Sequence, residues 1–145
     1  MDDAFRKNSW PEIGQSDSVS KTITQEDVEA FARLTGDVNP AHTDSEFAKT
    51  TRFGRRIVHG MFSLGLVSAA LGCRLPGPGT LYLGQSAKFL KPVFPGDTIT
   101  ATVTVVGKHA TKPILTLRTV CQNQEGVTVL DGEAVVMLDR PDSGA

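Results

Sequence analysis

The apolar positions of this chain change their period twice, and each change marks a new kind of element. Val28, Phe31, Ala32 and Leu34 recur at helical spacing behind Thr24, which offers an N-cap with Asp27 at the third helical position. Residues 19–23 before them read as a first strand, and residues 44–50 as a second, short helix. From His59 to Gly72 every position is apolar, small or uncharged. A helix that is apolar all round is buried all round, and Ser63, Gly65, Ser68, Ala69 and Ala70 let surrounding strands approach its backbone. The period then falls to two. Ile99, Ala101, Val103 and Val105 alternate with threonines, the pattern of an antiparallel strand with one wet face. Residues 81–93, 114–122 and 127–138 are further strands, with turns at Pro95-Gly96-Asp97 and at residues 123–126. One buried helix followed by long consecutive strands implies an α+β fold, an antiparallel β-sheet wrapped around a long central α-helix.

Composition narrows the class. A chain of 145 residues is long enough to bury a core as one domain, 1–145, with residues 1–16 as a polar N-terminal strap or tail and 139–145 as a C-terminal tail. The 15 basic and 16 acidic residues balance, so no nucleic-acid partner is expected. Cys73 and Cys121 lack metal or redox spacing and read as small apolar residues in a reducing compartment. The N-terminus has no apolar segment of a secretory signal, and the most apolar stretch, 57–71, is too short to cross a bilayer. A cytoplasmic protein without a membrane partner is the expectation. Open sheet edges make a homodimer the expected assembly.

The candidate chemistry lies between residues 31 and 48. Asp37 and His42 bring a carboxylate and an imidazole within five residues, both able to move protons near neutral pH. Gly36 closes the preceding helix, Asn39-Pro40 forces an extended step, and Thr43 with Glu46 reads as a capping box for the next helix. The pair is thus expected on one short loop pinned at both ends. The central helix starts near His59-Gly60, where its free N–H groups and dipole form an anion site. Gly60, with Met61 beside it, is the candidate oxyanion donor because a substrate carbonyl can come close to a residue without a side chain.

This segment resembles the signature of the MaoC-like, R-specific enoyl-CoA hydratases of the hydratase 2 type. The matching residues are Phe31, Leu34, Thr35, then Gly36-Asp37-x-Asn39-Pro40-x-His42, and Ala48. The resemblance extends over roughly residues 19–138 in length and element order. It implies the hotdog fold. It also implies a hydro-lyase that adds water to a trans-2-enoyl-CoA, giving the (R)-3-hydroxyacyl-CoA, without metal or organic cofactor. Asp37 and His42 match the residues that hold and activate the water, without deciding which of them is the base. Asn39 matches the family's asparagine, and Ser63 a serine that faces the pocket; both are candidate substrate-binding positions, as is Met61.

Other readings keep their place. The carrier is coenzyme A or acyl carrier protein, the latter making the chain a 3-hydroxyacyl-ACP dehydratase. A hotdog acyl-thioesterase and a non-catalytic acyl-thioester-binding module are more remote. Asp37, His42 and Asp44 are a metal set without supporting spacing, so none is expected. His59 is a second acid/base candidate but is read as helping to open the central helix, and His109 as solvent-facing. Gly77-Pro78-Gly79 reads as the link from helix to sheet. Arg52, Arg55, Arg56, Lys88 and Lys91 are candidates for carrier phosphates, and Phe62, Leu66 and residues 81–83 for capping the acyl tail.

Overall fold

The alternation read at Ile99 sets the geometry of the whole sheet. In the computed structural model, which describes residues 10–139, it belongs to β3 (Thr98–Lys108), where Ile99, Ala101 and Val103 have no exposed surface. β3 pairs antiparallel with β1 (Ser16–Thr22) on one side and β4 (Ile114–Gln122) on the other. β5 (Thr128–Leu138) follows, and β2 (Thr80–Phe89) closes the order β1-β3-β4-β5-β2, antiparallel throughout. On the wet face β1 and β3 are laced by hydroxyl pairs, Ser20 to Thr100 and Thr22 to Thr98, each at 2.7 Å. The inner face wraps the central helix, α4 (Gly60–Cys73), burying Ser63, Val67, Ala70 and Leu71. This is the hotdog arrangement. Each large side chain buried between helix and sheet contributes about 1.5–3 kcal/mol.

α4 departs from the expectation of burial on every side. Met61, Gly65 and Ser68, spaced along one stripe, are exposed, Met61 at 57%. The physical reason is coverage: five strands curl around only part of a helix, and none of the described residues lies over the stripe facing away from them. The first strand also starts earlier than read, at Ser16, because Ser16 and Asp17 still pair with β3. Of the strap read at 1–16, residues 1–9 lie outside the described residues, as do 140–145 of the tail; Trp10 packs on the core and Gly14 N–H donates to Val105 O at 2.8 Å. The run read as one strand over 81–93 leaves the sheet after Phe89. Pro92 has no N–H to give a ladder, and Val93 O instead accepts from Val58 N–H at 2.7 Å, tying this segment to the approach to α4.

Among the described residues three helices precede α4: α1 (Gln25–Thr35), α2 (Pro40–Thr43) and α3 (Ser45–Ala48). α1 starts with the expected capping box, Thr24 accepting from Asp27 N–H while Asp27 accepts from Thr24 N–H. Gly36 ends it in the left-handed region, φ 80°, which is open to glycine without strain. Among the described residues, no helix is long and apolar enough to cross a membrane.

Candidate active site

Local chemistry on either side of Gly36 places Asp37 and His42. Thr35 Oγ1 donates to Phe31 O at 2.7 Å and accepts from Asp37 N–H at 3.1 Å, so the chain leaves α1 with Asp37 already directed. Asn39 then caps α2, its Oδ1 accepting from Ala41 N–H at 3.0 Å, with Pro40 as first helical residue. Two expectations change here. His42 stands within the one-turn helix α2 rather than on an open loop, because the Asn-Pro step nucleates a turn. The cap of α3 is Asp44, accepting from Glu46 and Phe47 N–H, and not Thr43. Thr43 is still helical and turns its hydroxyl back toward Asn39 O, whereas Asp44 is extended, as a cap requires.

Asp37 and His42 do come together. One carboxylate oxygen of Asp37 and one ring nitrogen each of His42 and His59 lie within 4.8 Å of one another. His42 is nearly buried, and its Nδ1 sits 2.7 Å from Ile57 O. A carbonyl only accepts, so Nδ1 carries the proton there and Nε2 keeps its lone pair. The Asp37 side chain is 51% exposed and accessible to solvent.

His59 is the residue that sequence reading undervalued. It does stand at the N-cap of α4, yet its side chain caps nothing. The ring instead turns toward the pair, stacked on His42 at 3.8 Å between centroids, with Phe31 behind it at 4.7 Å. The signal available was a histidine placed directly before an apolar, small-residue helix. His109, by contrast, is exposed as expected and takes the Thr111 and Lys112 N–H groups on its Nδ1.

The same cluster fits a metal ion poorly. The His42 and His59 rings are stacked at 28°, so their in-plane lone pairs run side by side instead of converging on one centre. His42 Nδ1 and His59 Nε2 are each engaged by a main-chain carbonyl. Asp44, the third member of the set weighed from sequence, is occupied in capping α3.

Two clefts meet at the start of α4, and Met61 lines both. One, of about 450 Å³, is lined by Gly60, Met61 and Ser63 together with Ile57, Phe89, Arg52 and Lys91. The other, of about 530 Å³, lies between Phe31, Met61, Leu64, Gly65 and the Tyr82–Gln85 stretch of β2. Asp37 and His42 are not among the residues lining either cleft; Ile57 of the first cleft meets His42 Nδ1, and Phe31 of the second packs on His59. Phe89 packs over Gly60, and a Cβ there would come within 2.7 Å of its ring, so a larger residue requires the exposed Phe89 side chain to shift. The first amides of α4 have no intrahelical partner and no side-chain cap, leaving donors at this end. Ser63 is buried at the cleft floor, and its carbonyl accepts the thiol of Cys121 at 3.7 Å. Burial pushes that thiol up to about 12, which keeps it a donor.

Of the other expected positions, Tyr82 and Leu83 line the second cleft, whereas Phe62 and Leu66 pack against the core. Arg52 and Lys91 reach the first cleft. Arg55 lies over the Phe94 ring at 3.6 Å, and Lys88 belongs to a separate groove beside Arg118.

A carboxylate and an imidazole converge near an uncapped helix start and two clefts, and comparison with known proteins says what this chain is similar to. The MaoC like domain matches residues 9–125. An (R)-specific enoyl-CoA hydratase of Rhodospirillum rubrum is 53% identical over 125 residues, 86% of each chain. An (R)-specific enoyl-CoA hydratase of Aeromonas caviae is 50% identical over 127 residues, 88% of this chain and 95% of that one. The solved structure of an (R)-hydratase from A. caviae involved in PHA biosynthesis aligns with a TM-score of 0.86 at 48% identity, covering 90% of this chain and 98% of the other. By sequence along most of its length and by the path of its backbone, the chain belongs to the MaoC-like domain family.

Proposed function

We propose that this protein is a hydro-lyase that adds water to trans-2-enoyl-CoA and forms (R)-3-hydroxyacyl-CoA, the activity for which relatives at 50–53% identity are named. The observation that carries the reading is the convergence of Asp37 and His42 next to the free amides at Gly60. Water is held between the Asp37 carboxylate and His42 Nε2. As its oxygen bonds to C3 of the enoyl group, one proton passes to the pair, and electrons move onto the thioester oxygen. The Gly60 N–H, with Met61 beside it, stabilises that oxyanion at the positive end of α4. The pair then returns a proton to C2, so the elements of water are added in full. Both groups address one face, which corresponds to syn addition. Asn39 serves by shaping the turn that carries His42, and Ser63 by lining the cleft floor.

The apolar cleft at Leu64, Tyr82 and Leu83 suits the acyl tail, and the cleft bearing Arg52 and Lys91 suits the carrier. A second copy of the chain fits the β2 edge, closing over the acyl cleft that Tyr82 and Leu83 line. β2 is an unpaired edge strand with Leu81, Tyr82 and Leu83 exposed, continuous with the bare stripe of α4 at Met61. Loss of enoyl-thioester absorbance on adding crotonyl-CoA tests the activity, with chiral analysis of the product testing the R outcome. Crotonyl-ACP in parallel separates the two carriers, and release of free thiol instead of hydration would identify a thioesterase.

A further inference from the structure

His59 is buried to 2% exposure, and its Nδ1 has no hydrogen-bond partner among the described residues. An imidazole held this way carries a cost that an apolar ring of similar size would avoid. What the imidazole supplies and an apolar ring cannot is the N–H on Nε2. That nitrogen lies 3.0 Å from the main-chain oxygen of Asp37 and 4.0 Å from its carboxylate Oδ2. The acceptor is a carbonyl, so Nε2 holds the proton and Nδ1 the lone pair.

The two members of the catalytic pair differ in how much they need this contact. His42 is secured independently: its Nδ1 by Ile57 O at 2.7 Å, its N–H by Asn39 O at 3.0 Å, and its carbonyl by Gln25 Nε2 at 3.0 Å. Asp37 lies on the irregular step between Gly36 and α2. Its N–H is taken by Thr35 Oγ1 at 3.1 Å, and its carbonyl by His59. The approach of Asn39 N–H to Asp37 Oδ1, at 3.5 Å, is too long to fix the carboxylate.

We infer that His59 is a positioning residue, whose Nε2–H pins the Asp37 main chain so that the carboxylate faces His42 across the site. Its ring, stacked on His42 and immediately before Gly60, also couples the pair to the start of α4. This role rests on the hydratase reading.

The test compares wild type with His59→Phe, which keeps a stacking ring but loses the donor, and His59→Gln, whose amide nitrogen reaches the same carbonyl. The assay is crotonyl-CoA hydration, with folding checked by circular dichroism. His59→Phe lowers kcat by about 10²-fold, the cost of a misplaced group, while KM stays within about twofold. His59→Gln recovers kcat to within about fivefold of wild type. In wild-type protein, long-range ¹H–¹⁵N spectra report His59 as the Nε2–H tautomer, a readout available even where a variant does not fold. A His59→Phe enzyme with wild-type kcat, a change confined to KM, a His59→Gln enzyme as slow as His59→Phe, or an Nδ1–H tautomer each overturns the inference. A wild-type protein that hydrates no enoyl thioester overturns the hydratase reading itself, and the inference with it.

Discussion

Asp37 and His42, the proposed pair, sit in unequal surroundings, and substitutions at the two therefore separate chemistry from folding. Asp37→Asn removes a charge from a side chain that is 51% exposed, so the unfolding free energy in urea shifts by less than about 0.5 kcal/mol. His42→Gln gives up the Nδ1 bond to Ile57 O and costs about 1 kcal/mol. Both lower the crotonyl-CoA hydration rate by about 10²–10⁴-fold; a rate left unchanged by either rules out its assigned role. The cysteines divide along the same line of exposure. Cys73 is exposed, while Cys121 is buried with its thiol pushed up to about 12, far above neutral pH. Since the thiolate is the nucleophile, Ellman's reagent titrates Cys73 in the native protein and Cys121 only after unfolding. Asp37, His42 and Gly36 were legible as residues because their spacing and turn chemistry are local. The place of His59 in the site was not, since its partners lie far back along the chain at Asp37 and Phe31.

At the scale of elements, the strands were read from alternation and the errors fell where an element meets another. β4 matches its expected span, and β3 its expected buried face, because one strand's own pattern carries that information. Where β2 stops depends on Val58 claiming Val93 O, a contact no local pattern encodes. The same holds for the glycines. At Gly132 of β5 a Cβ would overlap the Ser86 carbonyl and come within 3.0 Å of Ala87 Cα, both on β2. Gly132→Ala therefore destabilises by about 3 kcal/mol, mostly by parting β2 from β5. Gly107 of β3 is the control: its nearest neighbour would be Thr116 Cβ at 3.5 Å, an ordinary contact. Gly107→Ala stays within about 1 kcal/mol of wild type. Urea unfolding of both variants measures the contrast, and equal losses would show that strand approach is not what requires Gly132.

For the molecule as a whole, the bare stripe of α4 and the exposed β2 edge lie side by side, and the proposed dimer is the assembly that covers both. Sedimentation equilibrium is expected to give twice the chain mass. Leu83→Glu, placing a charge on the 52% exposed bulge position of β2, shifts the protein toward monomer. A wild-type chain that sediments as a monomer at micromolar concentration removes the proposed assembly. The other edge, β1, reads Ser-Asp-Ser-Val-Ser-Lys-Thr and offers no comparable apolar surface.

The sequence by itself determined the elements and the motif. Hydrophobic period, capping residues and the Gly-Asp-x-Asn-Pro-x-His spacing act over a few residues, so they can be read without knowing what packs against them. Tertiary structure decided the rest: that His59 stacks on His42, that Phe89 lies over Gly60, and that one stripe of an apolar helix is left uncovered. Each of those depends on which distant surfaces meet, and burial is a property of the meeting rather than of either segment.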